Sequence, residues 1–149
     1  MAPPSIHASA VLIGARAALI RGPAGSGKSR LALALLTAAS QGLLPFARLV
    51  ADDRAYVEVV HGRLLVRPAP ALAGLIEVRG LGIRRLPHEA LAVVGLVVDL
   101  GQLDAERLPE LAQRETKIEG IALPRLTVAA GSDALPLVLA YLRSTGGPG

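Results

Sequence analysis

Gly22-Pro23-Ala24-Gly25-Ser26-Gly27-Lys28-Ser29 is the stretch on which the reading of this 149-residue chain turns. It satisfies G-x-x-x-x-G-K-[ST] at every fixed position, with a short apolar run, Ala17–Ile20, before it and a helical pattern after it. Glycines let backbone N–H groups turn inward and form a concave anion nest, where larger side chains would intrude. A helix starting near Lys28 points its unpaired amides and the positive end of its dipole at the same place. The motif assigns Lys28 to the β- and γ-phosphates of a nucleoside triphosphate and the Ser29 hydroxyl to Mg²⁺, so ATP and Mg²⁺ are the expected cofactors.

Working outward, residues 7–13 read as a strand, Gly14-Ala15-Arg16 as a turn and Ala17–Ile20 as the return strand of a hairpin. Leu31, Ala32, Leu35, Leu36 and Ala39 recur at helical spacings after Lys28, and Gly42 marks the helix stop. Arg48–Ala51 is a short apolar run ending in Asp52-Asp53. Tyr56–Val60 and Leu64–Arg67, joined through His61-Gly62-Arg63, form a second hairpin. Pro68 and Pro70 break regular structure ahead of Leu75–Ile83. Val-rich Ala92–Leu100 reads as a buried central strand. Asp104–Gln113 reads as a short helix interrupted by Pro109, Leu123–Ala129 as a strand, Ala134–Arg143 as a closing helix, and the glycine-rich end, 144–149, as a flexible tail. With no repeat, linker or composition break, residues 1–149 read as a single α/β domain, a mixed sheet with flanking helices.

The bulk numbers narrow the function. A hydrophobic fraction of 52% argues for a folded core and against disorder. The absence of cysteine excludes disulfides and thiolate metal sites and suits a cytoplasmic setting. A net charge of +4 invites a nucleic-acid reading, but Phe46, Tyr56 and Tyr141 are the only aromatic residues and the arginines are scattered. Phosphorylated ligands or an acidic protein partner explain the charge equally well, and no nucleic-acid partner is expected. No membrane association is expected either: Met1–Ser5 lacks the start of a signal peptide, and the apolar stretch Ala90–Val98 stops at Asp99, well short of the roughly 20 residues of a spanning helix.

Asp52-Asp53 places adjacent carboxylates where a strand leaves the sheet, the usual edge for ligand chemistry in α/β folds. Asp also suits turns and helix caps, which would be the reading without a phosphate loop. With one, the pair fits phosphoryl transfer, in which one carboxylate orients the attacking hydroxyl and another holds the metal.

Three separated segments then coincide with one family. The phosphate loop, Leu49–Asp53 and the run Gly74-Leu75-Ile76-Glu77-Val78-Arg79-Gly80-Leu81-Gly82-Ile83 together resemble the catalytic domain of bacterial HPr kinase/phosphorylase. Ile6–Val11, Arg107-Leu108-Pro109 and Ile118–Val128 resemble further segments of it, so the likeness extends over roughly residues 5–130. The resemblance implies a phosphate-loop fold akin to phosphoenolpyruvate carboxykinase. It implies an ATP-dependent protein-serine kinase acting on the phosphocarrier protein HPr or a nitrogen-branch relative, reversed by inorganic phosphate. By position it makes Asp52 the base that takes the serine proton, sets Asp53 and Glu77 around the metal with Ser29, and places His7 beside Asp52 to tune it. Arg79 and Arg107 become candidates for contacting phosphate or the partner protein. Read from the residues alone, His7 is a structural histidine, Glu77 a solvated strand residue, and both arginines ordinary surface charge.

The resemblance also implies a short form, without the N-terminal domain of longer members, and a homo-oligomer, which in the family is a hexamer. Two departures stand out. Arg30 follows Ser29 where the family usually has Glu, and the basic segment expected after Thr127-Val128 is replaced by Ala129–Ala134, which holds no Arg or Lys. Two other functions fit a phosphate loop: a small-molecule kinase, for which no lid insertion is evident, and a non-catalytic nucleotide sensor, which would be expected to have lost Asp52, Asp53 and Glu77.

Overall fold

A computed structural model describes residues 4–103, 105 and 109–144. Its strands are β1 (Ser5–Ile6), β2 (Ala8–Ile13), β3 (Arg16–Arg21), β4 (Ala47–Ala51), β5 (Ala55–Val60), β6 (Arg63–Pro68), β7 (Leu75–Val78), β8 (Gly82–Arg85), β9 (Ala92–Gln102), β10 (Glu115–Ile118) and β11 (Ile121–Ala129). The helices are α1 (Lys28–Ser40) and α2 (Ala134–Leu142), with short 3-10 turns at Pro70–Leu72 and Leu111–Arg114.

β9 organises the whole. Its first residues pair antiparallel with β6 at Ala92 and Val93, and its remainder runs parallel to β3 on one edge and to β11 on the other. The strand order β1-β5-β6-β9-β3-β2-β4 therefore turns a corner along β9, with β11 and β10 continuing from its far edge. Strand alternation divides the core into two layers. Val11, Ile20, Leu49, Leu96 and Val98 face α1 and α2, while Ala10, Leu19, Val50 and Val97 face the β5–β6 hairpin, where Val57, Leu64 and Val66 meet them. Small residues on β2 and β3, such as Ala8, Ala10 and Ala17, let that hairpin lie close.

The expected hairpins form, as do two of the three expected helices, α1 and α2. β2 pairs with β3 around Gly14, and β5 with β6 around His61-Gly62, whose φ values of 52° and 74° make a type I′ turn. Glu119-Gly120 repeats that geometry between β10 and β11. β10 was not expected. Its residues Glu115-Thr116-Lys117-Ile118 bury only Ile118, as befits an edge strand with little apolar pattern. Leu75–Ile83 is not continuous, because the chain turns back through Gly80 and Leu81 and pairs β7 with β8. The helix expected over Asp104–Gln113 is replaced, within the described residues, by the turn Leu111–Arg114. Pro109 cannot donate to a preceding turn, and Glu110 and Gln113 cap the short segment reciprocally. Asp104, 106–108 and the tail from 145 lie outside the described residues. No described helix is long and apolar enough to cross a membrane.

Candidate nucleotide and phosphoryl-transfer site

β3 delivers the chain to Gly22 from the middle of the sheet, and α1 leaves at Lys28, so residues 22–27 bridge strand and helix in a tight arch. Two glycines are dictated by this geometry. A Cβ on Gly22 would lie 2.5 Å from Ser26 Oγ and 3.1 Å from Leu100 Cβ. Gly27, at φ 100°, caps α1 in the left-handed region that side chains avoid. No acidic residue occupies the first turn of α1, so its amides and dipole present an uncompensated positive end.

Lys28 is 8% exposed, and its ammonium donates to the carbonyl oxygens of Gly22 (2.9 Å) and Pro23 (3.2 Å). The side chain thus folds back along the arch it belongs to.

The next residue reaches across to β4. Ser29 donates its hydroxyl to Asp52 Oδ1 at 2.6 Å, and Ser9 on β2 donates to the same oxygen at 2.8 Å. Asp52 Oδ2 accepts the backbone N–H of Glu77 at 3.1 Å. One carboxylate therefore ties together the phosphate loop, the strand beside it and β7. Ser9 itself accepts the N–H of Asp53 at 3.1 Å. Asp53 has φ 65°, an uncommon conformation for a residue other than glycine. It redirects the chain after β4, and Asp53 joins Ser29, Glu77 and Arg79 on the wall of a cavity of about 430 Å³.

Ala24, Gly25 and Gly27 also border a second cavity, about 670 Å³, between Pro23–Gly27, the first turns of α1 and residues 128–134. Leu31, Ala34, Leu100 and Val128 give it apolar walls. Arg30 lies on the rim of both cavities.

A strand-terminal acid beside a phosphate loop is the ordinary place for a metal-holding carboxylate. Here β9 carries Asp99 near its end, but Asp99 serves another purpose. It is 4% exposed and takes a bidentate bond from Arg21 (2.8 and 2.9 Å) together with one from Arg125 Nε at 2.5 Å. Burial pushes its carboxyl up, but the hydrogen bonds and charges of the two guanidinium groups outweigh burial and hold it below the ordinary range. The acid that engages the loop serine comes from β4 instead.

Lys28, Ser29, Asp52, Asp53 and Glu77 lie close together: Ser29 and the Glu77 amide bond Asp52, and Lys28, Ser29, Asp53 and Glu77 line one cavity. His7 is exposed and makes no hydrogen bond to Asp52 among the described residues; Ser9, two positions further on, supplies that contact. Arg79 reaches the cavity wall, and Arg107 lies outside the described residues. No group of three or more His, Cys, Asp or Glu close enough to hold a metal occurs among the described residues. The donors that do converge, Ser29, Asp53 and Glu77, are all hard oxygens, which suits a Mg²⁺ ion that keeps several waters and takes phosphate oxygens for the rest of its shell. Ser9 and the Arg21–Asp99–Arg125 cluster were missed. The available signals were a single polar side chain inside the apolar Ala8–Ile13 strand and a carboxylate at the end of a Val-rich run.

Strand, glycine arch, helix and the Lys28–Ser29–Asp52 arrangement define an α/β phosphate-loop domain. The particular relatives are kinases. No family model matches the chain. It is 39% identical over 145 residues to an HPr kinase/phosphorylase of Azoarcus sp. (strain BH72), which covers 85% of this chain and 42% of that protein. It is 39% identical over 69 residues to an HPr kinase/phosphorylase of Clostridium tetani (strain Massachusetts / E88), covering 46% of this chain and 20% of that protein. The fold superposes on the structure of the Hpr(Ser) kinase/phosphatase from Coxiella burnetii with a TM-score of 0.73 and 25% identity, over 94% of this chain and 88% of that one. The chain thus spans less than half the length of the curated relatives it matches. The likeness to HPr kinase/phosphorylase expected from its segments holds in both sequence and fold.

Proposed function

We propose that this chain is an ATP-dependent protein kinase domain that phosphorylates a serine on an HPr-like phosphocarrier protein, and that inorganic phosphate reverses the reaction. The observation that carries the reading is the 2.6 Å contact between Ser29 and Asp52, which sets a carboxylate against the phosphate-gripping loop. The similarity to HPr kinase/phosphorylases supports the choice of substrate.

In this reading the loop amides and Lys28 bind the β- and γ-phosphates, and the larger apolar-walled cavity takes the nucleoside. Ser29, Asp53 and Glu77 would hold Mg²⁺, which would supply positive charge to neutralise the phosphate oxygens. Asp52 accepts the serine proton as the serine oxygen bonds to the γ-phosphorus and the bond to the bridging β–γ oxygen breaks, leaving ADP. In reverse, a phosphate oxygen attacks the phosphoserine phosphorus, Asp52 returns the proton to the serine oxygen, and pyrophosphate leaves. Ser9 and the Glu77 amide keep Asp52 aimed throughout. Arg79 and Arg107 contact the transferred phosphate or the partner. The protein would work in the cytoplasm, as a homo-oligomer.

The test is incubation with labelled ATP, Mg²⁺ and purified phosphocarrier proteins. Label on a carrier serine, absent with Asp52→Asn, is the expected result. Excess inorganic phosphate should then strip the label and yield labelled pyrophosphate. Nucleotide binding with no labelled carrier would overturn the kinase reading.

A further inference from the structure

The β7–β8 hairpin stands apart from the rest of the fold. Its two strands pair only with each other, outside the main sheet. Its inner face is anchored: Ile76 is 1% exposed, and Val78 packs on the core beneath α1. Its tip and second strand are not. Leu81 and Ile83 are 61% and 63% exposed, and every residue of β8 is exposed. Two large apolar side chains left this open and this close together are characteristic of an interaction surface rather than of a solvated turn.

Charge sharpens the reading. Arg79, Arg84 and Arg85 are all exposed, and none makes an ion pair or side-chain hydrogen bond among the described residues. Of the two acids between Gly74 and Leu91, Glu89 already lies 3.8 Å from Arg48. The hairpin therefore presents an apolar tip flanked by uncompensated cations, a surface complementary to an acidic patch beside an apolar one.

Position links this surface to the chemistry. Arg79 and Glu77 line the same cavity as Ser29 and Asp53, and the Glu77 amide is bonded to Asp52. The hairpin base is fixed by Leu86 N–H to Gly74 O at 2.8 Å and Glu89 N–H to Leu49 O at 2.9 Å. A hydroxyl that reaches this cavity as part of a folded protein brings its flanking surface over residues 79–85. We infer that the β7–β8 hairpin is the docking ridge for the acceptor protein, which it grips through an acidic surface next to an apolar patch. This rests on the kinase reading above and adds the partner's recognition chemistry to it.

Two full-length variants test it independently, L81S/I83S for the apolar tip and R84E/R85E for the charge. Each is assayed for phosphorylation of the carrier protein across a concentration series, for nucleotide affinity by titration, and for oligomeric state by light scattering. The expected result is a carrier KM raised roughly tenfold by either variant, with nucleotide affinity within about twofold of wild type. Added salt should raise KM for the wild type and lower it for R84E/R85E, where screening relieves the repulsion of the reversed charges. Labelled carrier with unchanged KM in both variants sinks the docking ridge and leaves the kinase reading intact. An oligomer that both variants dissolve, again with unchanged KM per protomer, makes the hairpin a contact between copies of this chain and overturns the proposal. A wild-type chain that labels no carrier sinks the kinase reading and this proposal with it.

Discussion

Arg21 and Asp99 are register partners across the parallel strands β3 and β9, and they are joined by two hydrogen bonds of 2.8 and 2.9 Å. Arg21 is the residue immediately before the phosphate loop, so the pair fixes the point from which the arch springs. Arg125 on β11 closes the cluster from the other side and also reaches Gln102 Oε1 and Gln113 O. Asp99→Asn leaves two guanidinium groups facing a neutral amide. The expected loss is about 3–5 kcal/mol of stability, measured by urea unfolding. A loss well under 1 kcal/mol would mean the cluster anchors nothing.

The same cluster gives a pH signature. The folded carboxyl of Asp99 titrates below its ordinary 3.8, so its stabilising contribution is complete above that value and is lost as pH falls through the lower folded pKa. Wild type should therefore lose stability progressively below about pH 4. Asp99→Asn should show a shallower acid limb in a series of unfolding midpoints, and parallel limbs would refute the assignment.

Asp52→Asn keeps the shape of the side chain and removes its basicity. Carrier phosphorylation should fall by about 10²–10⁴-fold while nucleotide affinity changes little. An equal fall in nucleotide affinity would show Asp52 to be a binding group rather than the base.

Ser9→Ala removes one donor to Asp52 and the acceptor of the Asp53 N–H. About 1–3 kcal/mol of stability should go with it, because the buried Ser9 hydroxyl bonds a carboxylate and also accepts from the Asp53 amide. Phosphorylation should fall with little change in KM for nucleotide, and Ser9→Thr should recover part of the rate. Wild-type turnover in Ser9→Ala would show that Ser29 and the Glu77 amide position the carboxylate alone.

Gly22→Ala places a methyl group 2.5 Å from Ser26 Oγ, with Leu100 behind it. Overpacking of this kind costs about 1–3 kcal/mol, and the arch must open to relieve it. Nucleotide affinity should drop by roughly tenfold or more, since the amides no longer converge. An unchanged dissociation constant would place the anion elsewhere.

Much of this site was legible because its chemistry is local. The loop carries its own signature in eight consecutive residues, and Asp52-Asp53 advertise themselves at the end of an apolar run. What the sequence does not display is which residues face each other. Ser9 and Asp52 are 43 positions apart, and only the antiparallel pairing of β2 with β4 brings them together. Asp99 showed in the sequence only as the charge that ends the apolar stretch Ala90–Val98, and its role depends on Arg21 and Arg125, 78 and 26 residues away. Local patterns also failed where apolar content was low: β10 reads as loop because it buries a single side chain. The break in Leu75–Ile83 was marked by Gly80 and Gly82, but glycine punctuation alone does not say that the chain doubles back to pair with itself.

The arrangement of β9 has a bearing on how the protein comes into being. The strand that launches the loop, β3, has its inner edge covered by β9, and β9 has its own outer edge covered by β11, residues 121–129. When only the first hundred of these residues have left the ribosome, the phosphate loop is complete, yet the 128–134 wall of the larger cavity is missing and the middle of the sheet has an open edge. Capacity to hold the ligand should accordingly emerge late and all at once, when the last third of the polypeptide zips into place.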